Sequence, residues 1–370
     1  MEFHIAKEEL VRALQRVQGI VERRSTNPII ANVLLRAESA GLVVTATDTE
    51  ISFVGTYEAQ VTTEGEITIE AKHLFDIARN LPTQEVSVQS AEDVPMEVEI
   101  RSGRAYFRVK GMAAESFPPV PGMAGESAMQ ITSGELRRVI ERTAFSISSD
   151  DTRTGLNGAS LEAVDDTRLR LVATDGHRLS LAEVVFQGEL AGGQSVLLPR
   201  KGLGELRKLC DDSDDAYDIA FVQNQAVFHR GNVTLAMRLL EGVFPDYRQV
   251  IPSQPTRAVI VERRALIDGL KRASILAPER SNAVRFTIGD QLLGLQSNHS
   301  EFGSASEELE VETDGEPLEI GFNARYFLDA LAVIADERVK LEFGDSLGPC
   351  LLKPAADTPA MFVIMPMRLD

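Results

Sequence analysis

Paired carboxylates are the groups in this chain that could most readily support catalysis, because one can act as a general acid and the other as a general base. Asp150-Asp151 and Asp165-Asp166 are such pairs, and they would suit a hydrolase. The run at 211–215 has the acidity of a calcium loop but lacks the Gly and the closing Glu of an EF-hand. We interpret that run as a solvated loop and keep an acidic hydrolase as one alternative.

The other reactive side chains are scattered. The five His are dispersed along the chain, which is more typical of structural or surface residues than of a base or a ligand set. Cys210 and Cys350 lie far apart and outside any CxxC pattern, so neither a disulfide framework nor a thiolate metal site is expected. No GxxxxGK[ST] loop, GxGxxG fingerprint or HExxH helix occurs. We therefore expect no cofactor, no metal and no catalytic activity.

The basic residues suggest a different chemistry, the binding of phosphate groups. A formal net charge of -18 would by itself disfavour nucleic acid. Six stretches with helical periodicity nevertheless hold about 19 of the 38 Lys and Arg and only about 10 of the 56 acidic residues. Arg12 and Arg16 share one face of the first stretch, and Leu10, Leu14 and Val17 form its apolar stripe. The pattern predicts helices with one basic face.

These stretches recur with a period of about 127 residues, which indicates an internal repeat. One set predicts helices at 6–21, 133–145 and 262–275, and the second set predicts helices at 71–81, 199–210 and 323–334. Two further markers share the period, namely the short segments that begin at Ala46, Ala173 and Gln296 and the Phe-Pro pairs at Phe117 and Phe244. Agreement of four markers favours one fold unit present three times.

Short runs rich in aliphatic and β-branched residues separate the helices and predict strands, at 33–35, 42–45, 67–69 and 86–88 in the first unit. Each unit is expected to be an α+β domain with two helices packed on an antiparallel sheet. We predict three similar domains at 1–124, 125–251 and 252–370. No apolar run approaches the ~18 residues of a membrane helix, and the start lacks the order of a secretory signal. A cytoplasmic protein without membrane contact is expected.

A closed ring would place all the basic helices on one inner surface. A domain of about 125 residues has an equivalent diameter of roughly 35 Å. Three such spheres leave a central hole of only about 5 Å, whereas six leave about 35 Å, which admits B-form DNA of roughly 20 Å. Closed twofold assembly is the commonest oligomer type. The sequence therefore predicts a homodimeric ring around double-stranded DNA, bound without sequence preference.

Five segments resemble the bacterial sliding clamp family, the beta subunits of DNA polymerase III. They are RTGLNG at 153–158, ATDGHRL at 173–179, FPDYR at 244–248, GFN at 321–323 and VIMPMRL at 363–369. The resemblance implies the DNA-clamp fold and a head-to-tail dimeric ring of six domains. It also implies a non-catalytic processivity subunit of a DNA-directed DNA polymerase, which tethers the replicative polymerase and other DNA-processing proteins and is opened by a separate clamp loader.

The resemblance further implies functional residues, carried over position by position. Proteins with a short clamp-binding peptide motif would dock in a pocket formed by Arg153, Leu156, Thr174, Gly176, His177, Arg178, Leu179, Pro245, Val250, Asn323, Tyr326, Leu347, Pro349, Val363, Met365, Pro366, Met367 and Arg368. Its Leu, Val and Met side chains would accept apolar anchors, and Arg side chains at the rim would fix their orientation. DNA contacts would come from Arg24, Lys72, Arg79, Arg200 and Lys201. At the dimer interface, Phe107 and Val109 would face Ile275 and Leu276.

The sequence departs from the family pattern in three places. Thr154-Gly155 replaces the aromatic residues often found there, which would weaken stacking on DNA. Pro349 occupies a pocket position usually held by a small polar residue, and the stretch 297–308 is less acidic than expected at the dimer interface. Besides the hydrolase, a repeat scaffold that binds only protein remains an alternative.

Overall fold

The computed structural model describes residues 1–22, 27–91, 94, 96–120, 129–188, 195–356 and 359–368. The first repeat contains β1 Glu2–Ala6, α1 Lys7–Val17, β2 Asn32–Glu38, β3 Gly41–Thr47, β4 Ile51–Tyr57, β5 Gln60–Thr63, β6 Gly65–Glu70, α2 Ala71–Asn80, β7 Glu85–Ser90, β8 Glu97–Ser102 and β9 Ala105–Met112. The four strands predicted in this repeat are confirmed.

The other two repeats have the same order of elements. The second contains β10 Met129–Thr132, α3 Ser133–Thr143, β11 Gly158–Ala163, β12 Arg168–Thr174, β13 Arg178–Val185, β14 Gln187–Gly188, β15 Ser195–Pro199, α4 Arg200–Leu209, β16 Ala216–Val222, β17 Gln225–Arg230 and β18 Val233–Arg238. The third contains β19 Arg257–Glu262, α5 Arg263–Ser274, β20 Ala283–Ile288, β21 Leu292–His299, β22 Gly303–Glu310, β23 Glu312–Asp314, β24 Leu318–Asn323, α6 Ala324–Ala332, β25 Arg338–Phe343, β26 Cys350–Pro354 and β27 Ala360–Ile364.

The six predicted helices are confirmed, and only α1 ends well before the predicted position. It stops at Val17, where the Gln18 side-chain amide donates hydrogen bonds to the carbonyl groups of Leu14 and Ala71 at 3.2 and 3.1 Å. A Cβ at Gly19 would overlap the carboxylate of Glu205. The chain therefore leaves the helix because of contacts with other elements, although its apolar pattern continues.

Helices pack on sheets through their apolar stripes, as the periodicity predicts. In α1, Leu10, Leu14 and Val17 are fully buried. In the third repeat, Phe327 of α6 packs its ring against Phe286 of β20, with centroids 4.9 Å apart. Such contacts bury large apolar areas and supply most of the stabilising free energy.

The described chain divides into two compact units. The first comprises Met1–Gly134, Gln187–Glu189 and Lys201–Leu239, and the second comprises Glu135–Phe186, Leu190–Arg200 and Leu240–Asp370. In the first unit β18 pairs antiparallel with β4, and in the second β13 pairs antiparallel with β27. The middle repeat is shared because strands of its neighbours continue its sheets. The predicted boundary at 124/125 lies outside the described residues.

The second unit also contains a separate four-stranded sheet with the order β22-β21-β20-β24. Its buried side chains, such as Phe286 and Leu295, alternate with exposed or half-buried ones, such as Arg285 and Gln296. In the described part of the chain, no helix is long and apolar enough to cross a membrane.

Candidate partner-binding groove and basic helices

An apolar groove of about 280 Å³ opens on the second unit. Its volume lies near the lower end of the range for ligand pockets, roughly 300–1,000 Å³. The predicted pocket residues that line it are Leu156, Thr174, Gly176, Arg178, Leu179, Pro245, Val250, Val363 and Met365. Asp246 and Tyr247 line it as well. These two were missed from the sequence, although both stand in the FPDYR motif.

A tight turn between β12 and β13 forms one wall of the groove. The Asp175 carboxylate accepts hydrogen bonds from the backbone N–H groups of His177 and Arg178, at 2.9 and 3.0 Å. Thr174 Oγ1 donates to the Arg178 carbonyl at 2.6 Å. Gly176 has a φ of +90°, a left-handed conformation that favours glycine. The ATDGHRL motif thus has a local cause, since Thr and Asp close the turn and Gly permits it.

The first repeat has the same turn between β3 and β4. Asp48 accepts hydrogen bonds from the backbone N–H groups of Glu50 and Ile51, at 2.9 and 2.6 Å. Thr47 Oγ1 donates to the Ile51 carbonyl at 3.0 Å. Two of the three segments that marked the repeat in the sequence, those at Ala46 and Ala173, therefore share one set of hydrogen bonds.

Tyr247 forms the floor of the groove. It is 4% exposed and belongs to a buried cluster with Leu179 and Val363. Its hydroxyl donates to a carboxylate oxygen of Glu162 and accepts a 3.0 Å hydrogen bond from Arg170 Nη1. Burial and the hydrogen bond to Glu162 raise the pKa of Tyr247, so the hydroxyl stays protonated and keeps donating.

Arg178 links the turn between β12 and β13 to helix α6 through hydrogen bonds. Its guanidinium donates to Asp329 at 2.6 Å, to Asp175 at 3.1 Å and to the Phe145 carbonyl at 2.8 Å. It also lies 4.7 Å from the centroid of the Tyr326 ring, and only 12% of the side chain is exposed. The sequence suggested an arginine at the rim that orients a peptide. Arg178 lines the groove, and its guanidinium also holds the wall of the groove in place.

Two aromatic rings stand beside the groove. The rings of His177 and Tyr326 are stacked, with centroids 6.5 Å apart. The Met365 N–H donates to the His177 carbonyl at 3.0 Å, which fixes the C-terminal segment next to β13. The Asn323 side chain accepts a hydrogen bond from the Arg325 N–H at 2.9 Å and so caps α6.

The remaining predicted pocket residues lie outside the groove lining. Arg153 Nη1 donates to the Asp175 carbonyl at 3.1 Å. Leu347 is 81% exposed, and Pro349 is half-buried before β26. The last three, which follow Met365 in the C-terminal segment, are Pro366, Met367 and Arg368.

The cations predicted to contact DNA lie on the helices of the second set, with one exception. The four that the structure describes are all exposed, namely Lys72 and Arg79 on α2 and Arg200 and Lys201 at the start of α4. Lys201 Nζ contacts the Asp48 carboxylate and the Ile20 carbonyl, the latter at 3.2 Å, so its charge is partly compensated. Arg24 lies outside the described residues.

The strands β9 and β22 each keep a largely unpaired edge among the described residues. On one side β9 pairs with β8 from Ala105 to Lys110, and on the other it meets β6 only at Gly111 and Met112. β22 pairs with β21 alone. Unpaired edges of this kind invite pairing with another chain.

The predicted interface residues lie on β9 and just after α5. Phe107 and Val109 share one half-buried face of β9. Ile275 is 77% exposed directly after α5, and Leu276 is half-buried. An exposed isoleucine next to a half-buried leucine forms a small apolar patch.

The first carboxylate of each acidic pair, Asp150 and Asp165, accepts hydrogen bonds within a turn. Asp165 accepts hydrogen bonds from the Thr167 N–H and from the Arg168 guanidinium, which lower its pKa. Hydrogen bonds from Thr152 likewise lower the pKa of Asp150. A general acid needs a raised pKa, so neither carboxylate suits that role.

A serine with GxSxG spacing occurs at 344–348. In α/β-hydrolases this motif turns a strand into a helix and exposes the nucleophile. Here it joins the antiparallel strands β25 and β26, and Asp345 Oδ1 accepts a hydrogen bond from the Leu347 N–H at 2.9 Å. The segment is a hairpin connection and not a nucleophile elbow.

Each third of the chain matches a family model of the same subunit. Residues 1–121 match the N-terminal domain of the DNA polymerase III beta subunit, residues 130–246 the central domain and residues 248–368 the C-terminal domain. The beta sliding clamp of Pseudomonas putida is 37% identical over 370 residues, which cover 100% of both chains.

Solved structures agree over the same length. The sliding clamp of Bacillus subtilis matches with a TM-score of 0.94 and 30% identity, and that of Pseudomonas aeruginosa bound to griselimycin matches with 0.93 and 37%. Both alignments cover 100% of this chain and of the other. The chain therefore has the three-domain α+β fold of DNA clamps. It belongs to the DNA polymerase III beta subunit family, the bacterial sliding clamps, and this contradicts the hydrolase alternative.

Proposed function

We propose that this chain is a non-catalytic processivity factor. It closes around duplex DNA as a ring and tethers the replicative DNA polymerase and other DNA-processing proteins. The observation that carries the proposal is the full-length match to sliding clamps across three repeated domains. Work on chromosomal DNA would place the protein in the bacterial cytoplasm.

The order of the strands supports a ring of two chains. β4, β13 and β22 are equivalent strands of the three repeats, as are β9, β18 and β27. Two of the possible junctions, β18 with β4 and β27 with β13, are formed within the units. The pair that remains is β9 and β22. If β22 of one chain joins β9 of its partner head to tail, two chains close six domains with six equivalent junctions.

Side chains on these edges favour the same junction. Arg108 and Lys110 are exposed on β9, whereas Glu308 and Glu310 are exposed on β22. Opposite charges on facing strands stabilise an antiparallel pair and set its register. The apolar residues Phe107, Val109, Ile275 and Leu276 would then pack beside the new ladder.

The basic helices would contact DNA, and the groove would bind partner proteins. Sequence-independent phosphate contacts from Arg24, Lys72, Arg79, Arg200 and Lys201 would be weak enough to permit sliding, because the closed ring prevents dissociation. The apolar groove would take the anchor residues of a short peptide motif in polymerases, in the clamp loader and in other partners. Tethering raises the effective concentration of polymerase at the primer end.

Primer extension under single-encounter conditions tests this function. With the polymerase and the ATP-driven clamp loader of the same organism, addition of this chain is expected to lengthen products about tenfold or more. Omission of ATP serves as the control, because an unopened ring cannot reach a closed circle of template. Unchanged product length with ATP would favour the protein-only scaffold.

A further inference from the structure

A second and larger cavity, the polar trough, lies on the four-stranded sheet of the second unit, on the face that carries the exposed side chains. It has a volume of about 530 Å³. Guanidinium, carboxamide and hydroxyl groups line it: Arg285, Arg368, Gln296, Asn298, Ser304 and Ser306. Among the described residues, no carboxylate belongs to the lining. Since hydrogen-bond donors prevail, the trough suits an anionic group rich in acceptor oxygens.

Strand register places three of these side chains, Arg285, Gln296 and Ser306, in one row. Arg285 of β20 lies opposite Gln296 of β21, which lies opposite Ser306 of β22. On its other side Arg285 faces Gly321 of β24, which forms a bridge with Met367. With neighbouring strands about 4.8 Å apart, the row extends about 19 Å from the C-terminal segment to β22. These side chains project from the face of the sheet, so pairing at the edge of β22 would leave them accessible.

The two cations of the trough differ in their availability. Arg285 is 40% exposed and forms an ion pair with Glu319. Arg368 is exposed, and within the described part of the chain it has no carboxylate at ion-pair distance. Among the described residues, Arg368 therefore has no compensating carboxylate, whereas the charge of Arg285 is shared with Glu319.

The C-terminal segment joins the trough to the groove. Met365 lines the groove, and Met367 lines the trough. Residues two apart in an extended chain are separated by about 7 Å. Hydrogen bonds from the N–H groups of Met365 and Met367 to the carbonyls of His177 and Gly321, at 3.0 and 2.9 Å, hold both positions. A peptide anchored in the groove would reach the trough with a residue a few positions along its chain.

We propose that the polar trough is a subsite for an acidic side chain of the partner peptide, located a few residues from the apolar anchors. This inference rests on the proposed role of the groove and extends it. A free anion would bind weakly, because the chain as a whole carries a net charge of -18. A tethered carboxylate gains a high effective concentration and can form charge-assisted hydrogen bonds. Among partners with the same apolar anchors, those with an acidic residue at the matching position would thus bind more tightly.

Synthetic peptides with identical Leu-Phe anchors test the subsite on the full chain. Each carries Glu-Glu, Gln-Gln or Lys-Lys placed a few residues before or after the anchors, and an anchor-only peptide is the reference. On one side of the anchors, the Glu peptide is expected to bind about fivefold more tightly than the Gln peptide, and the Lys peptide more weakly. Raising the salt from about 50 mM to about 500 mM should remove most of this difference.

Matched variants locate the effect. Arg368→Gln and the double variant Arg285→Gln/Glu319→Gln should abolish the preference for Glu, whereas Arg338→Gln, which removes an equal charge on β25, should keep it. Equal affinity of Glu and Gln peptides in both positions would overturn the subsite while leaving the groove in place. Failure of the anchor-only peptide to bind would instead refute the groove, and the subsite with it.

Discussion

Replacing Val250 and Met365 together by Ala is expected to weaken the binding of a Leu-Phe peptide by about 100-fold. Both side chains line the groove and are partly exposed, at 38% and 36%, so they are available to cover apolar anchors. Truncating a central interface residue costs about 2 kcal/mol or less at most positions, and each 1.4 kcal/mol is about a factor of ten. Calorimetric titration of the full chain measures the change.

Val185→Ala is the matched control for this variant. Val185 ends β13 and is 64% exposed, but it does not line the groove. Its peptide affinity should equal that of the unmodified chain, and all variants should keep the same circular dichroism and sedimentation. Undiminished affinity in the double variant would place the peptide on another surface.

Ile275→Asp is expected to convert the dimer into monomers at micromolar concentration. Ile275 is 77% exposed in the single chain, so the substitution leaves the core untouched. At the proposed junction, however, it would bury an unpaired carboxylate, which costs several kcal/mol. A ring has two junctions, so the penalty counts twice, and the dimer dissociation constant should rise on the order of a thousandfold or more.

Sedimentation velocity over a range of concentrations measures this effect. The unmodified chain should sediment with about twice the 40.5 kDa mass of one chain. Val243→Asp provides the control, because Val243 is 90% exposed and lies away from both β9 and α5 in sequence. If Ile275→Asp remained dimeric, the residues proposed for the interface would be wrong.

Periodicity made the helices and the repeat predictable, because each helix must bury one apolar stripe on its own sheet. The spacing of Leu10, Leu14 and Val17 places these three residues on one face of the helix and so predicts the buried stripe. The division into two units was not predictable in the same way. It depends on hydrogen bonds between the backbones of β4 and β18 and of β13 and β27, and backbone pairing leaves little trace in side-chain identity.

The groove was predictable only through its motifs. Leu179 and Val363 could be carried over from the family, but the support beneath them joins residues distant in sequence. Tyr247 and Glu162 are 85 residues apart, and Arg178 and Asp329 are 151 apart. The one sequence signal for the floor of the groove was Tyr247, which stands in the FPDYR motif. Nothing local in the sequence distinguishes an arginine that stabilises the wall of the groove from one that contacts a bound peptide.

Retention on DNA of different topology tests the ring most directly. The chain is loaded onto nicked circular plasmid by its clamp loader, the complex is isolated by gel filtration, and a restriction enzyme then cuts the plasmid once. The clamp is expected to remain with the circle and to leave the linear DNA by sliding off its ends. Equal retention on circular and linear DNA would contradict a ring that encloses the duplex.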